Sequence, residues 1–162
     1  MKAIIDSSPF IALGCINKIN LLSGLFSEIL IPQEVYNETF INGKNIDVLN
    51  GIKANNKFKV YAASNIVLME FLNDHLDKGE SEVIALAKEK EISTVIIDEA
   101  KGRKIAKLHG LTVIGSLGIL VLSKNKGLIN QVKEYIQQME EYGVRIGNDV
   151  KVQILIAAGE VL

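Results

Sequence analysis

With one cysteine, Cys15, in 162 residues, the chain has no intrachain disulfide and no multi-cysteine zinc or iron–sulfur site. Proline is almost as scarce. Pro9 and Pro32 are the only two, and no Pro/Ser-rich linker, internal repeat or low-complexity block divides the sequence. Tryptophan is absent, aromatic residues make up 6% and there are two histidines. Neither sign of charge is in excess: 18 basic residues face 19 acidic ones, for a net charge of -1. This argues against non-specific binding to a nucleic-acid duplex, which relies on a strongly basic surface, but leaves a local basic face open. Only two of the basic residues are arginine, a skew that with the abundant Ile and Asn reads as codon bias in an AT-rich genome. No uninterrupted apolar run approaches the roughly 20 residues that span a bilayer. Asp6 and Pro9 break what would be the apolar core of a signal peptide, so the expected location is cytoplasmic. What is abundant is apolar character: 48% of residues, with a mean hydropathy of +0.24. The length suits a single domain over residues 1–162, with 149–162 as a C-terminal apolar helical tail. A chain of this size buries roughly 68–70% of its unfolded surface and needs no metal or disulfide to fold.

Strand and helix signals alternate. Apolar or β-branched runs predict strands at 2–6, 28–31, 58–61, 93–98 and 111–114, the third of them short or at an edge. Helices are expected at 7–18 and 19–26, from Pro32 to about 41, at 80–91 and at 101–109, the last stopping at Gly110. They also fill most of 117–142, with a break near 125–127, and a short apolar helix is expected at 149–158. The polar stretch 42–57 predicts at most a short helix and a turn. Continuous apolar strands between helices imply an α/β protein whose parallel sheet is covered on both faces.

Ligands of open parallel sheets gather beyond the carboxyl ends of the strands. Asp6 closes the first strand and Asp98 the fourth. Each, taken singly, has a plain alternative as the cap of the next helix. Glu38 lies two turns into the helix opened by Pro32, one turn beyond Glu34. Glu80 and Glu82 stand at the start of their helix, where an acid is worth roughly 0.3–1 kcal/mol for electrostatic reasons alone.

These residues occur in a recognisable order: Asp6-Ser7-Ser8 after an apolar strand, Pro32-Gln33-Glu34-Val35-Tyr36-Asn37-Glu38, Gly79-Glu80-Ser81-Glu82-Val83-Ile84-Ala85-Leu86-Ala87 and Ile97-Asp98-Glu99. Gly115-Ser116-Leu117-Gly118-Ile119-Leu120 follows, then a Lys-rich turn and Gly127-Leu128-Ile129. The set resembles the PIN-domain ribonucleases, particularly a small prokaryotic branch similar to toxin–antitoxin nucleases. It covers residues 2–129, with a weaker echo in Ala158-Gly159-Glu160. The resemblance implies a PIN-like three-layer sandwich, a central parallel sheet flanked by helices. It also implies an acid cluster binding Mg2+ or Mn2+ and endonucleolytic hydrolysis of RNA. Position by position, Asp6, Glu38, Glu80 and Asp98 match the catalytic, metal-binding acids, with Glu82 and Glu99 as alternates. Ser7 and Ser8 match the hydroxyl residues that support the first acid, with helix capping as an equal alternative. The third acid is more often Asp in the toxins, and the longer Glu changes the reach to a metal. A small antitoxin partner and a homodimer are implied as well.

The chemistry is consistent with that set. Converging carboxylates raise one another's pKa unless a cation neutralises them, and magnesium prefers octahedral oxygen ligands and retains several waters. Lys101, Arg103, Lys104 and Lys107 follow the strand-end acid on one helix, either as contacts to RNA phosphates or as an ordinary solvated face. His75 and His109 read as peripheral and Cys15 as core packing. Tyr36 and Tyr61 read as base-stacking or packing residues. Gly115 and Gly118 do not complete a dinucleotide fingerprint. Two other functions remain open at this point. One is a catalytically degenerate PIN-like module for RNA or protein binding. The other is an aspartyl-phosphate phosphatase with Asp6 as nucleophile, though the sequence lacks the second acid two residues on.

Overall fold

A computed structural model describes residues 1–41 and 44–161. Asn42 and Gly43, which open the expected polar stretch, and the terminal Leu162 lie outside the described residues. Five strands form one all-parallel sheet: β1 (Lys2–Ile5), β2 (Glu28–Pro32), β3 (Phe58–Tyr61), β4 (Thr94–Ile96) and β5 (Thr112–Ile114). Their order is β3-β2-β1-β4-β5, which puts the 58–61 strand at the edge, as its short alternating pattern predicts. Helices α1 (Ser7–Cys15), α2 (Asn20–Leu25), α3 (Gln33–Phe40), α4 (Ile46–Lys53), α5 (Ile66–Asn73), α6 (Lys78–Glu89), α7 (Ala100–Leu108), α8 (Ser116–Asn125), α9 (Lys133–Glu141) and α10 (Asn148–Ala157) flank it in an α/β sandwich.

Most elements fall where the sequence places them, with shifted ends. The first helix stops at Cys15 rather than near residue 18, because Asn17 turns to a positive φ of 54°. The helix expected from residue 80 begins two residues earlier, at Lys78, after an N-cap at Asp77. The strand expected at 93–98 keeps ladder geometry only over Thr94–Ile96. Helix α5 is absent from the sequence reading. Its run Ile66-Val67-Leu68-Met69-Glu70-Phe71-Leu72 is too uniformly apolar to show a 3.6-residue period, and only Leu72 is fully buried.

The middle strands are apolar on both faces because helices cover both. Ile4 and Ile5 of β1, Ile29 to Ile31 of β2 and Val95 and Ile96 of β4 are all buried. Phe10 of α1 is completely enclosed and meets Phe40 and Phe58 edge-on at 5.8 and 6.4 Å. Burial of such a ring contributes about 1.5–3 kcal/mol. It also fixes the start of α1, and with it Asp6, against α3 and the sheet.

The chain runs outward from β1 through β2 to β3, then crosses to β4 and β5 on the other side. The switch point therefore lies between β1 and β4, where the register pairs Ile5 with Ile96. Asp6 continues that ladder for one more bond, its N–H donating to the Ile96 carbonyl at 3.0 Å. Two acids 92 positions apart in sequence are thereby delivered to one rim.

Candidate active site

Asp6 occupies the N-cap position of α1, yet its side chain makes no capping hydrogen bond. It is 2% exposed, and among the described residues its Oδ1 finds no hydrogen-bond partner. A buried acceptor without a partner costs about 1–3 kcal/mol, so capping does not account for Asp6. Burial pushes its pKa up from 3.8 to about 7. The neighbouring charges of Glu80, Asp77 and Glu38 push the same way, against the Ser7 backbone N–H, which favours the ionised form.

Glu38 reaches the same place from α3. The residue is exposed, but its carboxylate lies against the first turn of α6. A Cβ built on Gly79 would stand 2.8 Å from Glu38 Oε2 and 3.0 Å from Oε1. Crowding at that end, then the charge of Asp77, raises its pKa, while the Ser7 hydroxyl and the Gly79 N–H partly counter the rise.

Glu80 is buried at the third position of α6 in a capping box. Its N–H donates to Asp77 Oδ1 at 2.8 Å, and Asp77 N–H donates to Glu80 Oε2 at 3.3 Å. The other carboxylate oxygen, Oε1, lies over Gly102 of α7, where a Cβ would come within 2.7 Å. Burial first, then Asp77, raises the Glu80 pKa.

Asp98 follows β4 but does not cap the helix that comes next. Its Oδ1 accepts the N–H of Ser116, the first residue of α8, at 2.7 Å. Gly115 makes room for it: a Cβ there would meet Arg103 Nη1 at 2.8 Å and Asp98 Oδ1 at 2.9 Å. Burial raises the Asp98 pKa, while the Ser116 N–H and hydroxyl and the Arg103 charge oppose it. Arg103 is itself anchored, Nη1 donating to the Ile97 carbonyl at 2.9 Å. Three glycines thus leave space for three carboxylates, a use of Gly that its missing Cβ alone permits.

The alternates fare differently. Glu82 lies two residues beyond Glu80, about 200° around the helix, and it serves the scaffold. Its Oε2 accepts from Glu34 N–H at 2.7 Å in the first turn of α3, and its Oε1 from Ala63 N–H at 2.9 Å. Glu99 is exposed at the N-cap of α7, near enough for its charge to act on Glu80. Ser7 and Ser8 begin α1, half-buried. Lys101, Lys104 and Lys107 are exposed on α7; Lys104 and Lys107 line one groove with half-buried Arg103 and Asp98, and Lys101 lies off that face. An open groove of about 1450 Å³ runs from Asp98 between α7, α8 and α10, with Arg103, Lys104, Lys107 and Arg145 along it. Asp77 is the residue that the sequence reading omits. The spacing Asp77-x-x-Glu80 is a capping-box signature and marks it.

Among the described residues, the ion pairs engage Glu28, Glu140 and Glu160, all away from this cluster. No three of the site's side chains close into a ready-made ligand set. An oxygen-only group of acids, with Asp6 Oδ1 buried and unsatisfied and with glycine cradles behind the others, nevertheless has the donor chemistry of a hard divalent cation such as magnesium.

The all-parallel sheet and its flanking helices define an α/β sandwich with a group of acids beyond its strand ends. A family model described as PIN domain matches residues 2–160, nearly the whole chain, and the chain belongs to the PIN-domain family. Members of the family are commonly nucleases that act on RNA and use divalent metal ions. Among curated proteins, none matches the chain.

Proposed function

We propose that the protein is a Mg2+- or Mn2+-dependent endoribonuclease of the toxin type, acting in the cytoplasm as a homodimer and held in check by a small antitoxin protein. One observation carries this reading: Asp6 is buried among other acids with an oxygen that no group among the described residues satisfies. A divalent cation held there would satisfy that oxygen and offset the repulsion between the acids.

Asp6, Glu38, Glu80 and Asp98 are the residues that would hold it. When bound, such an ion stabilises charge developing on the phosphate and makes water a stronger nucleophile. The rest of the work belongs to the chain. Ser116 N–H fixes one oxygen of Asp98, leaving the other for the site. The capping box and Gly102 fix Glu80. Ser7 offers its hydroxyl to Glu38. Arg103, clamped to the Ile97 carbonyl, together with Lys101 and Lys104, would hold the phosphates that flank the cut.

The test is cleavage of end-labelled single-stranded RNA by the purified chain. Mg2+ or Mn2+ should be required, and Asp6→Asn should abolish cutting. Equal residual activity in the wild type and Asp6→Asn across divalent ions would identify contamination and remove the reading.

A further inference from the structure

Asp77 has more charge than its place in the fold requires. An N-cap needs only an oxygen that accepts from the third residue of the helix, and Ser or Asn does this as well as Asp. Here the cap holds Glu80 N–H at 2.8 Å while the Asp77 N–H holds the Glu80 carboxylate. The same turn contains Gly79, against which the Glu38 carboxylate rests. The exposed Asp77 carboxylate therefore stands on the same turn that holds the Glu80 carboxylate and against which the Glu38 carboxylate rests. In the metal-free protein that arrangement opposes folding. An independent feature points to what offsets it. Asp6, 2% exposed beside these acids, has an Oδ1 that no donor among the described residues reaches.

We propose that Asp77 is a fifth acid of the cation site: its backbone and side chain position Glu80, and its charge, on the solvent-open rim of the cluster, adds to the attraction for a divalent ion. This rests on the metal-dependent reading above. It goes beyond the four acids because it assigns a role to the charge of a residue whose local hydrogen bonds a neutral side chain would also make. Asp77 acts here as a positioning and electrostatic residue.

The experiment compares the full-length wild type with Asp77→Asn and Asp77→Ala. Mn2+ binding is followed by the electron paramagnetic resonance signal of the free ion, and melting temperature is measured with and without Mg2+. Asparagine keeps the cap and loses the charge. Asp77→Asn should therefore melt at or above the wild-type temperature without metal, bind Mn2+ roughly 10-fold more weakly and gain less from Mg2+. Asp77→Ala, which also loses the cap, should melt lower without metal. Wild-type Mn2+ affinity in Asp77→Asn, or a lower metal-free melting temperature with the Mg2+ gain intact, would show a cap and nothing more. If the wild type itself takes up no Mn2+, the metal-dependent reading fails first, and this proposal falls with it.

Discussion

A carboxyl group buried beside other acids resists ionisation, so the folding of the metal-free chain is linked to pH through Asp6. Its pKa rises from 3.8 in the unfolded chain to about 7 in the fold. Between those values the folded state binds more protons, so stability is full below pH 3.8 and is lost as pH rises towards 7. Over the full range this amounts to about 4 kcal/mol at 1.36 kcal/mol per pKa unit. Glu38, Glu80 and Asp98 shift in the same direction. Urea midpoints without metal should therefore be higher at pH 5 than at pH 8, and Asp6→Asn should flatten the difference. Added Mg2+ should restore stability at pH 8, because a ligand of the folded state alone favours it by mass action. A metal-free protein that gains stability from pH 5 to 8 would contradict the burial of an acid here. At this scale the order of the acids in the sequence singles out Asp6, Glu38, Glu80 and Asp98 as candidates, and the fold brings the charges of Glu38 and Glu80 to bear on Asp6. Choosing Glu80 over Glu82 also agrees with where the two side chains point, since Glu82 is spent on the Glu34 and Ala63 amides. Asp77 is missing from the sequence reading, because its spacing to Glu80 marks only a cap and the other acids around it arrive from α3 and the end of β1, distant in sequence.

Elements were legible where their period or punctuation is strong and illegible where packing decides. The apolar strands announce a buried parallel sheet, and Gly110, at φ 78°, ends the helix before β5 as expected. Helix α5 has no such signal. It is held by the Asn65 cap, which accepts Leu68 N–H at 3.1 Å, and by packing on α6. The echo at Ala158-Gly159-Glu160 has a structural purpose that the sequence did not disclose. Glu160 Oε1 accepts from Val132 N–H at 2.5 Å and Lys124 Nζ at 2.9 Å, and Oε2 accepts from Lys133 N–H at 2.9 Å. One carboxylate thus ties the chain beyond α10 to the end of α8 and the start of α9. Glu160→Ala leaves two backbone donors without that acceptor and should cost about 1–3 kcal/mol in stability. Hydrogen exchange should accelerate first at the Val132 and Lys133 amides, with RNA cleavage unaffected below the melting transition. Unchanged exchange at those amides would show that the start of α9 is secured by other contacts.

For the molecule as a whole, the question is what covers the apolar surface that the fold leaves outside. The run 117–122 is largely accounted for: Ile119 and Leu120 are buried, and Leu122 is 38% exposed. The C-terminal helix divides. Leu155 and Ala158 pack inward and Val150 borders the groove shared with α7 and α8, while Val152 and Ile156 are exposed on another side of the helix. A separate exposed face on α5 carries Ile66, Val67 and Phe71. Soluble monomers seldom leave contiguous apolar patches beyond a few hundred Å², and a two-fold dimer is the commonest way to cover one. Of the two faces we propose the one on α10 for pairing, because that helix also borders the groove that leads to Asp98. Light scattering at micromolar concentration should give twice the 17.8 kDa chain mass. Val152→Glu with Ile156→Glu should return the protein to one chain with its melting temperature nearly intact, because both side chains are exposed in the single chain. Phe71→Glu on α5 should leave the dimer unchanged. A wild type that scatters as a monomer would refute the pairing, and a dimer split by Phe71→Glu but not by the α10 changes would move the interface to the opposite edge of the sheet.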